Sequence, residues 1–215
     1  MASKEIKQAS PRRARNSLSR ELILDAALGL AQTGAELSLR SVAARLACSA
    51  MALYRHFPDK QELLLALLDR VIGSIDLGDG SLPWDERLLK LSQQHLAALQ
   101  ANPWAIPLLF QYPDPGPAVR SVGEAMLLAL KEGGASSDGA VSTFSSILAL
   151  NYGWAGFTAA KPNSLSPSGI SDKLQTAPDP EDNLNVTAEI WGAFKNLGSD
   201  VHHELALRKL ISHLG

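Results

Sequence analysis

SLRSVAARLACSAMALYRHFPDK, residues 38–60, is the stretch on which the reading of this chain turns. Ser38 and Ser49 each open a run whose apolar residues recur at helical spacing. Leu39, Val42, Ala43 and Leu46 mark the first run, and Leu53 and Phe57 mark the second. A short corner at Ala47 and Cys48 separates them, and Pro58 ends the second, because the residue before a proline disfavours helical geometry. Two short helices joined by a tight corner set one helix against a duplex backbone and present the next to a major groove.

Working outward, Ser19 is a good N-cap with Glu21 in the first turn behind it. Leu22, Ile23, Ala26, Ala27 and Leu30 then form one buried helical face, and Gly34 supplies the stop. Asp59 caps a fourth helix, with Glu62 three residues on in a capping-box-like start. Leu63, Leu64, Leu67, Leu68 and Val71 carry that helix to about Ile75. Residues 76–83, with Gly78 and Gly80, read as a linker. Beyond it, helices are expected over 84–101, 118–131, 137–160, 184–197 and 200–214, with a short apolar piece at 104–112 and a proline-rich turn at 113–117. Residues 161–183 read as a long loop. No segment shows sustained strand alternation, so the fold class is all-α. The organisation is a basic arm (1–18), a head (19–75, its helix-turn-helix at about 38–57) joined through a fourth helix, and a C-terminal helical body (84–215).

Composition sets bounds on function. Apolar content of 46% and charged content of 20% are those of an ordinary globular protein. Residues 1–75 carry a net charge of +4 and residues 76–215 a net of −6, so the overall −2 conceals a basic head on an acidic body. The N-terminus is polar and lacks the apolar region of a secretory signal, and the longest apolar run, residues 63–68, is far too short for a membrane span. A single cysteine, Cys48, excludes an internal disulfide and fits a reducing cytoplasm. Cys48 and Phe57 are assigned to packing. No HExxH, GxSxG, P-loop or GxGxxG element occurs, and the adjacent His202, His203 and Glu204 point in different directions on a helix. The chain is therefore read as a protein that is not an enzyme, with no cofactor and no metal.

The span ILDAALGLAQTGAELSLRSVAARLACSAMALYRHFPDKQELLLALLDRV resembles the TetR (tetracycline repressor-like) family of bacterial transcription regulators, with Leu53-Tyr54-Arg55-His56-Phe57-x-x-Lys60 its most specific segment. One departure stands at Ala47, where family members usually have glycine; if the backbone there has positive φ, alanine carries about 1 kcal/mol of strain. In the head, Ser38 and Arg40 are placed to reach phosphates, and Ser49, Ala50, Met51 and Ala52 face base edges at the start of the recognition helix. Ser49 either hydrogen-bonds a base or caps its helix; the next three offer apolar contact suited to thymine methyl groups. Tyr54, His56 and Lys60 are expected on phosphates, and Arg55 on a phosphate or a guanine edge. Arg12, Arg13 and Arg15 of the basic arm either follow the duplex or form a solvated tail.

Helix-turn-helix proteins gain affinity by dimerising on successive major grooves. The resemblance implies a homodimer through a four-helix bundle, placed on helices 137–160 and 200–214, and a palindromic double-stranded DNA operator. Ser145, Ser146, Ala149, Gly153 and Gly156 would let helices approach closely there, or serve internal packing. His95, Trp104, Phe110, Tyr112, Met126, Phe144, Asn151, Trp154 and Phe157 exceed what a minimal core needs; each lines a cavity for a small apolar or amphipathic effector, or is core. The expected function is a repressor released from its operator by that effector. The alternative is a constitutive DNA-binding or architectural protein without one.

Overall fold

The computed structural model describes residues 18–112, 116–159, 190 and 199–212, and these residues are all-α. Residues 1–17 of the basic arm, residues 113–115 of the proline-rich turn, the expected loop at 161–183, most of the expected helix at 184–197 and the last three residues lie outside the described residues.

The head is built from local signals. In α1 (Arg20–Gln32) the Ser19 hydroxyl accepts from Leu22 N at 3.2 Å. Ile23, Leu24, Ala26, Ala27 and Ala31 are buried. Leu24 rather than Leu22 faces fully inward; Leu22 is half-buried. α2 (Leu39–Arg45) starts on a reciprocal capping box: Ser41 N donates to Ser38 Oγ at 3.0 Å, and Ser38 N donates to Ser41 Oγ at 2.9 Å. α3 (Ala50–Tyr54) places Leu53 and, just beyond it, Phe57 in the core at 0% exposure. Arg20 binds this end of α3 to α1: its guanidinium donates to His56 O at 2.9 Å and lies over the Phe57 ring at 4.1 Å. In α4 (Lys60–Gly73) Asp59 Oδ1 accepts from Glu62 N at 2.8 Å, one half of the expected capping box.

The corner between α2 and α3 ends a helix in a Schellman pattern. Cys48 N donates to Ala43 O at 3.0 Å and Ala47 N to Ala44 O at 3.1 Å. That pattern needs a left-handed residue, and Ala47 adopts φ 51°, alone among the described non-glycine residues. The strain anticipated at this position is present. α7 ends with the same pair of bonds, and there the left-handed residue is Gly134 at φ 89°.

α4 belongs to two cores. Leu63 and Leu67 pack in the head with α1–α3, whereas Leu68, Val71 and Ile72 pack in the body. The body comprises α5 (Trp84–Ala101), α6 (Ala105–Gln111), α7 (Pro117–Glu132), α8 (Ser137–Ala159) and α9 (Asp200–Ile211). α5 is its central helix, packed on α7, α8 and α9. Two close approaches fix α7 against α4. Gly73 faces Ala118, and at Gly116 a Cβ would stand 2.6 Å from the Asp69 carboxylate oxygen that accepts from Val119 N at 3.0 Å. Asp69 thus caps α7 from a different helix, and only glycine leaves room for it.

Candidate functional site

The outward surface of α2–α4 carries the polar residues expected to meet DNA. Arg40, Ser49, Met51, Tyr54, Arg55 and Lys60 are exposed, Met51 at 72% and Tyr54 at 46%. Ser38, Ala50, Ala52 and His56 are half-buried. The Ser49 side chain makes no capping bond, so its hydroxyl is not committed to α3. Met51 is a large apolar side chain left outside the core on the first turn of α3. Ser38 is engaged in the capping box. Arg45, also exposed, sends its guanidinium back over Gly29 of α1, within 3.0 Å of where a Cβ would sit. Arg12, Arg13 and Arg15 lie outside the described residues. Cys48 packs half-buried against the head core, as assigned from sequence.

A cavity of about 640 Å³ opens in the body under α7. Ile72 of α4, Leu109 of α6, and Phe144, Leu148 and Tyr152 of α8 close it, and Val119, Val122, Met126 and Leu127 form its α7 wall. His95 of α5 also lines it, and Arg120, Glu124 and Lys131 are its charged lining residues, all exposed on α7. The volume and lining suit a drug-sized, mostly apolar ligand. Of the residues selected from sequence, His95, Met126 and Phe144 line this space. Asn151 is fully buried behind it, and Trp154 packs edge-on against His203. Phe110 is 68% exposed, its ring 5.0 Å from that of Tyr152; Trp104 packs half-buried where the two cores meet, and Tyr112 is half-buried at the end of α6. These five are not among the residues lining the cavity. Sequence reasoning favoured aromatic residues and passed over Tyr152 and the aliphatic stripe of α7. That stripe was visible as i, i+3, i+4 spacing of Val119, Val122, Gly123, Met126 and Leu127.

Behind the cavity lies a buried polar cluster. Ser92 and Asn151 are 0% exposed, His203 1% and His95 4%. Asn151 Nδ2 is 3.2 Å from Ser92 O and 3.0 Å from His95 Nδ1, and Asn151 Oδ1 is 2.7 Å from His203 Nε2. A backbone carbonyl can only accept, so the amide nitrogen must face Ser92 O. The same nitrogen then donates to His95 Nδ1, and His203 Nε2–H donates to Asn151 Oδ1. Burial pushes the His95 pKa down to about 4, so the ring is neutral near pH 7, with its proton on Nε2. Burial also lowers that of His203, against the opposing pull of Asp200 and Glu204. His203 faces inward while Glu204 pairs with Arg208 at 2.9 Å, so the two do not converge. Among the described residues no group of three or more His, Cys, Asp or Glu is placed to hold a metal ion. Among them, no helix is long and apolar enough to cross a membrane.

Comparison with known proteins agrees with both halves of this architecture. Residues 23–67 match the model of bacterial regulatory proteins of the tetR family, and residues 76–214 match the tetracyclin repressor-like C-terminal domain. The HTH-type transcriptional repressor DrrR1 of Streptomyces coeruleorubidus is 34% identical over 132 residues, 59% of this chain; the chain spans about half the length of that relative, 48%. Among solved structures, ActR from Streptomyces coelicolor in complex with (S)-DNPA is similar in fold, with a TM-score of 0.74 and 21% identity over 92% of this chain and 97% of that one. BioQ with its double-stranded DNA operator has a TM-score of 0.59 and 21% identity over 67% of this chain and 89% of that one. With its head and body each matched, and the body match alone spanning more than half its length, the chain belongs to the TetR family of bacterial transcription regulators.

Proposed function

We propose that the chain is a dimeric cytoplasmic repressor that binds a palindromic operator through residues 19–75 and leaves it when a small apolar or amphipathic effector fills the cavity of residues 84–215. The observation that carries this reading is the double membership of α4: Leu67 sits in the head core, the adjacent Leu68 in the body core, and Ile72 lines the cavity. A ligand that moves α4 therefore acts on the spacing of the DNA-reading helices, which is how differential affinity for two states becomes control of operator binding. Tyr54, His56, Arg40, Ser38 and Lys60 would hold phosphates; Ser49, Ala50, Met51, Ala52 and Arg55 would face bases, with Arg12, Arg13 and Arg15 following the duplex.

The dimer reading rests on an apolar face with no cover among the described residues. On α8, Val141 and Phe157 are 57% and 56% exposed; on the neighbouring α9, Val201 and Leu205 are 68% and 53% exposed. Ser145, Ala149, Gly153 and Gly156 are exposed between them, and a Cβ added at either glycine would meet open space. Such a face suits an isologous four-helix interface, the small residues admitting a close helix crossing. ActR has been crystallised with (S)-DNPA and BioQ with its operator, and both protein folds resemble this one.

Selection of bound sequences from a random DNA pool tests the reading. Two inverted half-sites about one helical turn apart are expected, with affinity at least 10³ above random DNA at fixed salt. Enrichment without a palindrome, or binding governed by salt alone, would instead indicate the constitutive architectural alternative.

A further inference from the structure

The buried cluster behind the cavity says what the cavity's inner end recognises. His95 is held by Asn151 through Nδ1, so Nε2 is the nitrogen left to face the space that His95 lines. Nε2 has no hydrogen-bond partner among the described residues, and it is not one of the fully occluded polar atoms without a partner, which are Trp104 Nε1 and Trp154 Nε1. A side chain that is 4% exposed and lines the cavity thus carries one N–H donor with no partner among the described residues. The buried apolar lining includes Ile72, Leu109, Val122 and Met126, with half-buried Phe144 and Leu148; Tyr152, its ring centre 5.8 Å from that of His95, is the other lining residue of α8 and carries a hydroxyl. The charged lining residues, Arg120, Glu124 and Lys131, are of mixed sign and exposed, and the Lys131 ammonium donates to Ala135 O at 2.7 Å. No buried charge balances an ionised ligand at the inner end.

We propose that the cavity selects an uncharged, largely apolar compound bearing a hydrogen-bond acceptor, to which His95 Nε2–H donates, and that Asn151 is the positioning residue that sets this polarity by holding the opposite ring nitrogen as an acceptor. The inference rests on the reading of the cavity as an effector site. It adds a chemical rule: ligands with an acceptor at the inner end are taken, and those of the same shape with a donor or a methylene there are disfavoured. A buried donor left unmet by its ligand costs more than the bond itself gives, which makes the rule discriminating.

Three tricyclic probes of nearly one shape test it on the full-length protein: 9-fluorenone carries a carbonyl acceptor, carbazole an N–H donor, and fluorene neither. Hydrophobic transfer alone favours fluorene, so the expected order, fluorenone tighter than fluorene and carbazole by about tenfold in equilibrium dialysis, cannot come from apolar burial. His95→Phe, checked for native helicity, should abolish the preference while fluorene still binds. Asn151→Asp assayed at pH 9 should draw the His95 proton to Nδ1, leaving Nε2 an acceptor, and move the preference toward carbazole. The second variant separates tautomer control from mere packing, which would weaken all three probes alike. Binding of all three with fluorene tightest would overturn the inference and leave the effector site standing. Binding of none up to their solubility would remove the effector reading itself.

Discussion

Ala47→Gly should stabilise this protein, although glycine is usually the more costly residue. Ala47 sits at the left-handed position of the Schellman pattern that closes α2, with φ 51°. For an L-residue with a Cβ that conformation costs about 1–2 kcal/mol, a strain that glycine does not carry. Against this stands the wider freedom of glycine in the unfolded chain, about 0.4–1 kcal/mol. Nothing else is lost, because Ala47 is exposed and its methyl group lies outside the head core. The difference leaves a net gain of roughly 0.5–1 kcal/mol, which in a chain of this length raises Tm by about 1–4 °C. Urea denaturation and differential scanning calorimetry on the purified protein would measure it, with Ala47→Val as the contrasting variant. Valine, β-branched and stiff, should destabilise by more than the glycine variant gains. If Ala47→Gly lowers stability by 0.5 kcal/mol or more, or if valine is tolerated as well as alanine, the corner is not strained as described.

Three further outcomes follow from the same geometry. His95 is depressed to about 4 from an ordinary 6.5, so the unfolded chain binds a proton that the folded chain refuses. Stability should therefore fall as pH drops through that window, by up to about 3 kcal/mol, and His95→Phe should flatten this part of a stability–pH profile from chemical denaturation. His203, lowered by burial, contributes in the same direction. Gly116→Ala should cost about 1–3 kcal/mol because its Cβ meets the Asp69 carboxylate, and Asp69→Ala about 1 kcal/mol through loss of the α7 cap. In a double-mutant cycle the two should add to less than their sum, since the first variant already displaces the carboxylate. Lys60→Ala should weaken operator binding uniformly across sequences and reduce the slope of log affinity against log salt by about one, read from titrations at several salt concentrations; an unchanged slope would remove Lys60 from the phosphate contacts.

Which features were legible in the sequence follows the range of the interactions behind them. Ser19, Ser38 and Asp59 act on residues three positions away, and Leu53 and Phe57 on one helical turn, so caps, corner and head core are all written locally. Even the departure at Ala47 could be judged before its φ was known, because the strain belongs to the residue type. The cavity is different. Its α7 wall has the spacing of any buried face, and no local rule separates a stripe that meets a neighbour from one that meets an open space. The sequence criterion of surplus aromatic and amphipathic residues found His95, Met126 and Phe144, but also residues such as Trp154, whose ring packs on His203. The polar cluster was less legible still: Asn151 joins His95 across 56 residues and His203 across 52, with no motif to announce it.

The long-range contacts nevertheless explain why the local ones take the form they do. Asp69 lies one residue past Leu68 and two past Leu67, so the cap on α7, the body core and the head core all bear on a single turn of α4. A helix of 14 residues moves as a rigid rod over that distance. Packed cores do not deform continuously, so a displacement of α7 relative to α5 is passed to α4 whole rather than absorbed between them. Gly73 brings the α4 backbone against the Ala118 methyl group, and Gly116 lets the Asp69 carboxylate reach the start of α7, so the two helices meet with little between them. On this view the two glycines matter less for the turn they permit than for the slack they remove. Enlarging either should uncouple ligand from operator more than it weakens binding of either alone. Operator affinity measured with and without effector, in Gly73→Ala and wild type, would show that as a collapsed ratio between the two states; a ratio preserved in a folded variant would place the coupling elsewhere.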